Sequence, residues 1–220
     1  MGRNIVEGGV LVVGLGRFGS TLAKSLERSG TSVIAVDPRQ EVVQEMSNYC
    51  THVVQADWTS EEALRQVGAG DCEVAVVAIG TDIEASILAT SVLVDIGIPH
   101  IWAKAVTEPH GRILSRVGAH HVVYPEQDAG KRVAHLLTER ILDFIDLGDG
   151  HAIVKISAHR GLRGRSLAES HLRSKYGVTV VAIKRQDGRI DPAAADTVVG
   201  EGDQLIVMGE TRDTERFAAE

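Results

Sequence analysis

From Val10 to about Ile145 the chain repeats one unit. A short run rich in valine and isoleucine is followed by a segment whose apolar residues recur every three or four positions, and then by a glycine or proline. The apolar runs fall at residues 10–13, 32–37, 52–57, 73–79, 100–106 and 120–124. They are nearly continuous rather than alternating, which is the pattern of strands buried on both faces. The helical segments begin near Arg17, Arg39, Ser60, Asp82, Glu108 and Gln127. Several end at Gly30, Gly68, Gly97 and Gly118, where a helix C-terminus favours positive φ. Six strands alternating with helices predict an α/β fold, a Rossmann-like doubly wound parallel sheet.

The rhythm breaks at the polar, glycine-rich stretch 146–150, which is read as a linker. It would separate a nucleotide-binding domain, residues 1–147, from a small α+β domain, residues 148–220. In the second part the pattern predicts strands at 152–157, 179–184 and 204–208, a helix at 166–175, a turn at 186–189 and a closing helix at 214–219. Two earlier helices carry surplus apolar surface. In 82–96, residues such as Ile83, Ile87, Leu88, Leu93 and Val94 cover more than one face. This points to a contact between subunits, or to a loop of the same chain lying over the helix. The segment from Val133 to Ile145 reads as a helix that connects the two parts and also packs.

Composition narrows the class of function. Of 220 residues, 44% are hydrophobic and 24% charged, so the chain can bury a core. A net charge of −7 and few aromatic residues argue against a basic groove with stacking platforms, and no nucleic-acid partner is expected. Cys50 and Cys72 form neither a disulfide framework nor a zinc spacing, which suits a reducing cytosol. No signal-like segment or long uncharged apolar run predicts export or a membrane span.

The candidate chemistry starts at Gly14, Gly16 and Gly19, a GxGxxG pattern after a strand and opening a helix. The first glycine permits a tight turn, the second a close approach of backbone to pyrophosphate, and the third close packing of helix on strand. Asp37 ends the second strand, where a carboxylate can accept both ribose hydroxyls and repel a 2′-phosphate. Together they predict an adenine nucleotide site. Asp57, after the third strand, could touch the base or cap the next helix with Thr59 and Ser60. Arg17 sits in the phosphate turn itself, which suggests extra negative charge on the ligand or a neighbouring subunit's ligand. His120 and His121 are adjacent on a strand, point to opposite faces and read as structural. Six basic residues between Lys155 and Lys175, against Glu169, form the one stretch of the second domain suited to an anion. No acid/base constellation, nucleophile elbow or Walker lysine appears, so no enzymatic activity is expected.

The segments GLGRFG, QADWT, VAIGTDIEASILAT, IWAKA, GAHHVVYPEQDAGKRVA, RSKYGVTVVAIK and GDQLIVMG together resemble the RCK family of potassium-uptake regulatory subunits, of the KtrA/TrkA type. The resemblance implies an RCK-N domain followed by an RCK-C domain. It implies dimers assembled into an octameric ring at the cytoplasmic face of a KtrB/TrkH-like integral-membrane potassium-translocating subunit, with ATP activating and ADP inactivating. It assigns Gly14, Gly16, Arg17, Phe18, Gly19, Asp37 and Asp57 to the nucleotide site and Lys104 to a phosphate. Arg17 would reach the terminal phosphate bound by the dimer partner, and Glu126 would contribute to a divalent or monovalent cation site. In RCK-C, Arg173 and Pro192 would bind cyclic di-AMP, with Leu167 and Ala168 against the base. The competing reading is an NAD-dependent oxidoreductase or NAD(H) redox sensor, which shares the glycine turn and Asp37.

Overall fold

A computed structural model of the chain describes residues 8–138 and 141–220. The chain divides into two compact units, Met1–Glu126 and Gln127–Glu220.

The first unit holds strands β1 (Val10–Val13), β2 (Val33–Asp37), β3 (His52–Gln55), β4 (Val74–Val77), β5 (His100–Lys104) and β6 (His121–Val123). All pair in parallel, in the order β3-β2-β1-β4-β5-β6. Helices α1 (Arg17–Arg28), α2 (Gln40–Met46), α3 (Glu61–Gln66), α4 (Ile83–Ile96) and α5 (Glu108–Val117) connect them. Every residue of β1 is buried because both faces are covered: Leu11 and Val13 pack with Leu64, Leu93 and Leu114, while Val10 and Val12 pack with Ala23 and Met46. Truncating such a residue, Leu11→Ala for example, costs about 2–5 kcal/mol. Ser60, Asp82 and Thr107 each accept a first-turn N–H, fixing where α3, α4 and α5 begin. Gly30, Gly68, Gly97 and Gly118 follow α1, α3, α4 and α5 with positive φ, as predicted. Because β1 pairs with β2 on one side and β4 on the other, the strand order reverses there and a crevice opens beyond the carboxyl ends of β1 and β4.

On α4 the apolar surplus is real but narrower than the pattern implies. Ile83, Leu88 and Val94 are exposed, whereas Leu93 is fully buried in its own unit.

The second unit is an antiparallel sheet in the order β10-β9-β11-β8-β7, comprising β7 (Ile141–Gly148), β8 (His151–Ser157), β9 (Thr179–Lys184), β10 (Ile190–Pro192) and β11 (Gln204–Glu210). Here three expectations are corrected. The helix α6 (Pro125–Thr138) does not run to residue 145; residues 141–148 form β7 instead. Of the stretch 146–150 read as a linker, residues 146–148 end β7 and Asp149 (φ 50°) and Gly150 (φ 75°) make the turn of the β7–β8 hairpin. The helical reading has a physical source. A register shift between Ile141 and Asp143 puts two inward residues, Ile141 and Phe144, three positions apart, which imitates a helix period. The helix expected at 166–175 is broken at His171 (φ 46°) into α7 (Leu167–Ser170) and α8 (Leu172–Tyr176). The closing helix α9 (Thr211–Ala219) buries Phe217 in the unit's core.

Candidate functional site

The turn after β1 has the geometry its glycines require. Gly14 adopts φ +94°, and a Cβ on Gly19 would collide with the Gly14 carbonyl, so the start of α1 lies tight against the strand end. A Cβ on Gly16 would meet nothing within 4 Å, leaving open room above the backbone. Gly16 supplies no side chain to cap α1, and the first turn holds no acidic residue. The free N–H groups and dipole of α1 therefore face the crevice and can bind phosphate.

Asp37, at the end of β2, is fully buried. The Leu15 N–H donates to its Oδ2 at 2.8 Å and the Arg39 N–H to its Oδ1 at 3.0 Å. The Arg39 guanidinium adds Nε to Oδ1 at 2.8 Å and Nη2 to Oδ2 at 2.9 Å. Burial pushes the Asp37 carboxyl up, but the guanidinium and the two N–H groups outweigh it and hold the pKa below the ordinary carboxylate value. Sequence reasoning finds Asp37 and misses Arg39. Gln55 Nε2 also reaches this loop, donating to the Pro38 carbonyl at 2.9 Å.

On the other side of the crevice, Lys104 ends β5 with its ammonium 2.6 Å from Glu126 Oε1 and 5.9 Å from the Phe18 ring centroid. A Cβ on Gly80 would lie 2.8 Å from Nζ, so the glycine after β4 makes room for the charge. The Lys104 side chain is only 11% exposed. The Glu126 carboxyl is held below its usual range, first by the Lys104 hydrogen bond and also by the charge of Arg17. Arg17, Phe18, Lys104 and Glu126 thus lie together at the carboxyl edge of the sheet, with the glycine turn between them and Asp37.

Other candidates have different surroundings. Asp57 lies past the end of β3, exposed, its Oδ1 accepting from the Thr59 N–H at 2.9 Å and hydroxyl at 2.7 Å. Glu126 offers one carboxylate, its Oε1 accepting from the Lys104 ammonium. Among the described residues, no group of three His, Cys, Asp or Glu side chains could hold a metal ion. His120 accepts the Ile101 N–H through Nδ1, and His121 stacks on Trp102 at 4.1 Å. Arg173 borders a hollow of about 590 Å³ with Leu167, Ala168 and Ala194, and its Nε donates to Thr179 Oγ1 at 3.2 Å.

Residues 10–125 match the TrkA-N domain family and residues 151–220 the TrkA-C domain family. The chain is 41% identical over 211 residues to Ktr system potassium uptake protein A of Bacillus subtilis, covering 95% of each. This chain belongs to the KtrA/TrkA family of potassium-uptake proteins. It is also 36% identical to Ktr system potassium uptake protein A of Vibrio alginolyticus, over 90% of each chain. Among solved structures, the GsuK channel bound to NAD aligns with a TM-score of 0.66 at 17% identity, covering 97% of this chain and 39% of the channel. A GsuK structure bound to ADP aligns at 27% identity with a TM-score of 0.50, over 59% of this chain and 33% of that one. Among the described residues no helix is long and apolar enough to cross a membrane.

Proposed function

We propose that the chain is the cytoplasmic, nucleotide-sensing, non-enzymatic regulatory subunit of a potassium uptake system. It assembles from dimers into a ring against an integral-membrane potassium-translocating subunit, with ATP favouring transport and ADP disfavouring it. The observation that carries this reading is one crevice that joins a glycine turn at a helix N-terminus, a buried carboxylate at the end of β2, the Arg17 cation and the Lys104–Glu126 ion pair.

In this reading Asp37 accepts the ribose hydroxyls. Because Arg39 already occupies both carboxylate oxygens, nucleotide entry must loosen at least one of its hydrogen bonds. The N–H groups of the first turn of α1 take the pyrophosphate. Arg17 reaches the third phosphate held by the dimer partner, and Lys104, nearly buried, adds positive potential to the crevice. Allosteric control requires only that ATP bind the transport-competent ring more tightly than the other ring shape, while ADP does not. A cation at Glu126 would take its remaining oxygen ligands from a second subunit. The exposed apolar residues of α4, Ile83, Leu88 and Val94, suit a subunit contact. In the second unit the hollow beside Arg173 is the place for cyclic di-AMP.

Titration of the purified chain with ATP, ADP and NADH, read by the fluorescence of Trp58 and Trp102, tests the reading. Tight binding of both adenine nucleotides, with ATP and ADP giving different ring conformations, supports it. Tight NADH binding with turnover of a carbonyl substrate replaces it with an oxidoreductase.

A further inference from the structure

The second unit carries a hollow of about 700 Å³ separate from the one beside Arg173. One wall is the tight turn Arg160–Leu162 and the other is α8; Leu162, Tyr176 and Phe217 lie beneath. Arg160, Arg163, Arg165 and Lys175 stand around it, all exposed. Arg163 is neutralised by Glu201 at 2.8 Å. Arg160, Arg165 and Lys175 have no carboxylate within ion-pair distance among the described residues. Lys175 instead lies 4.7 Å above the Tyr176 ring. The acids that face the hollow are few. Glu220 lines it, and Glu169 feels the charge of Arg165 while its carboxylate is tied to the N–H and hydroxyl of Ser166.

This is a cationic concavity in a chain whose net charge is −7. Concave walls focus the potential of like charges and draw in a counter-anion. The two hollows are distinct because Arg173 and Lys175, two positions apart on α8, point to opposite sides of the helix. Guanidinium groups recognise oxyanions through paired N–H donors, and the volume falls within the range of small-molecule sites. A single phosphate would leave most of it empty.

We propose that this hollow binds a soluble, multiply phosphorylated small molecule of about nucleotide size. The test uses the full chain and inorganic tripolyphosphate as the probe, by calorimetry at physiological salt. To silence the other two anion sites, the background carries Gly16→Asp, which puts a carboxylate over the free N–H groups of α1 at a position where a Cβ meets nothing within 4 Å, and Arg173→Ala. The background should bind the probe. Adding Arg160→Gln and Arg165→Gln should weaken binding at least tenfold, and Arg160→Lys with Arg165→Lys should retain most of it, with thermal midpoints unchanged throughout. The proposal is overturned if the background does not bind the probe, or if the glutamine variant binds it as the background does. It is equally overturned if Arg160 and Arg165 matter only for co-sedimentation with phosphatidylglycerol vesicles, which would mark a lipid headgroup surface.

Discussion

The guanidinium of Arg39 holds both oxygens of Asp37, at 2.8 and 2.9 Å, although Arg39 is half exposed and Asp37 is completely buried. The pair therefore has one fixed member and one that can swing away. A ribose arriving at Asp37 competes with a guanidinium that water can receive.

Two variants separate these roles. Asp37→Ala should weaken ATP, ADP and NAD binding together by about 1.5–3 kcal/mol, the range for hydrogen bonds to a charged acceptor. Arg39→Ala should do the reverse, tightening ADP several-fold because the carboxylate no longer has a competing donor. Its cost is a modest loss of stability, since a buried carboxylate loses two of its four donors. Calorimetry with ADP checks both; unchanged affinity in Asp37→Ala would remove that residue from the site.

Asp37 also sets an acid dependence. Its folded pKa lies below the ordinary value of 3.8, so between the two values the unfolded chain binds more protons and stability rises with pH. The contribution of Asp37 is therefore complete above about pH 4 and is lost as the pH falls through the folded pKa. Thermal midpoints measured from pH 5 downward should fall less steeply in Asp37→Asn than in the parent. Parallel curves would mean that the carboxylate does not titrate in that window.

The nucleotide-fold half of the molecule was legible because its signals agree at every level. β1 is buried on both faces and reads as a continuous valine and leucine run, while Gly14 and Gly19 stand where only glycine fits. The β7 strand was illegible for the opposite reason: a register shift places Ile141 and Phe144 at a helical spacing, and the Asp-rich turn that follows looks like a linker. Arg39 escaped because it holds its partner only two residues away, and charge two positions along carries no periodic signature. The bond between Lys104 and Glu126 joins residues 22 positions apart, which only the parallel pairing of β5 and β6 brings together.

The exposed face of α4 predicts self-association. Leu88→Glu places a charge among Ile83, Leu88 and Val94 and should give smaller species by light scattering, with an unchanged circular dichroism spectrum. Leu93→Glu is not an equivalent test, because that residue is fully buried and the variant should unfold. A parent chain that stays monomeric at micromolar concentration excludes this face as an interface.

The discrimination between ATP and ADP should rest on Arg17. It is exposed at the start of α1, its charge reaches Glu126, and it makes no ion pair with a carboxylate among the described residues. Glu126 is instead held by Lys104, so the carboxylate leaves Arg17 free to meet an anion. If the pyrophosphate is taken by the N–H groups of α1, the guanidinium adds most where the third phosphate adds charge. Arg17→Ala should then reduce ATP affinity by about 1.5–3 kcal/mol, the range for a charge-assisted contact, with a much smaller change for ADP. Glu126→Gln should retain both nucleotides, because it removes negative charge from the crevice, but it should narrow their difference by leaving the Lys104 ammonium to attract any phosphate. Titrating the parent and both variants with ATP and ADP at two salt concentrations separates the contributions, since the Arg17 effect on ATP should shrink at high salt. Equal losses for ATP and ADP in Arg17→Ala would place the guanidinium at the shared pyrophosphate and end its role as the sensor of the third phosphate.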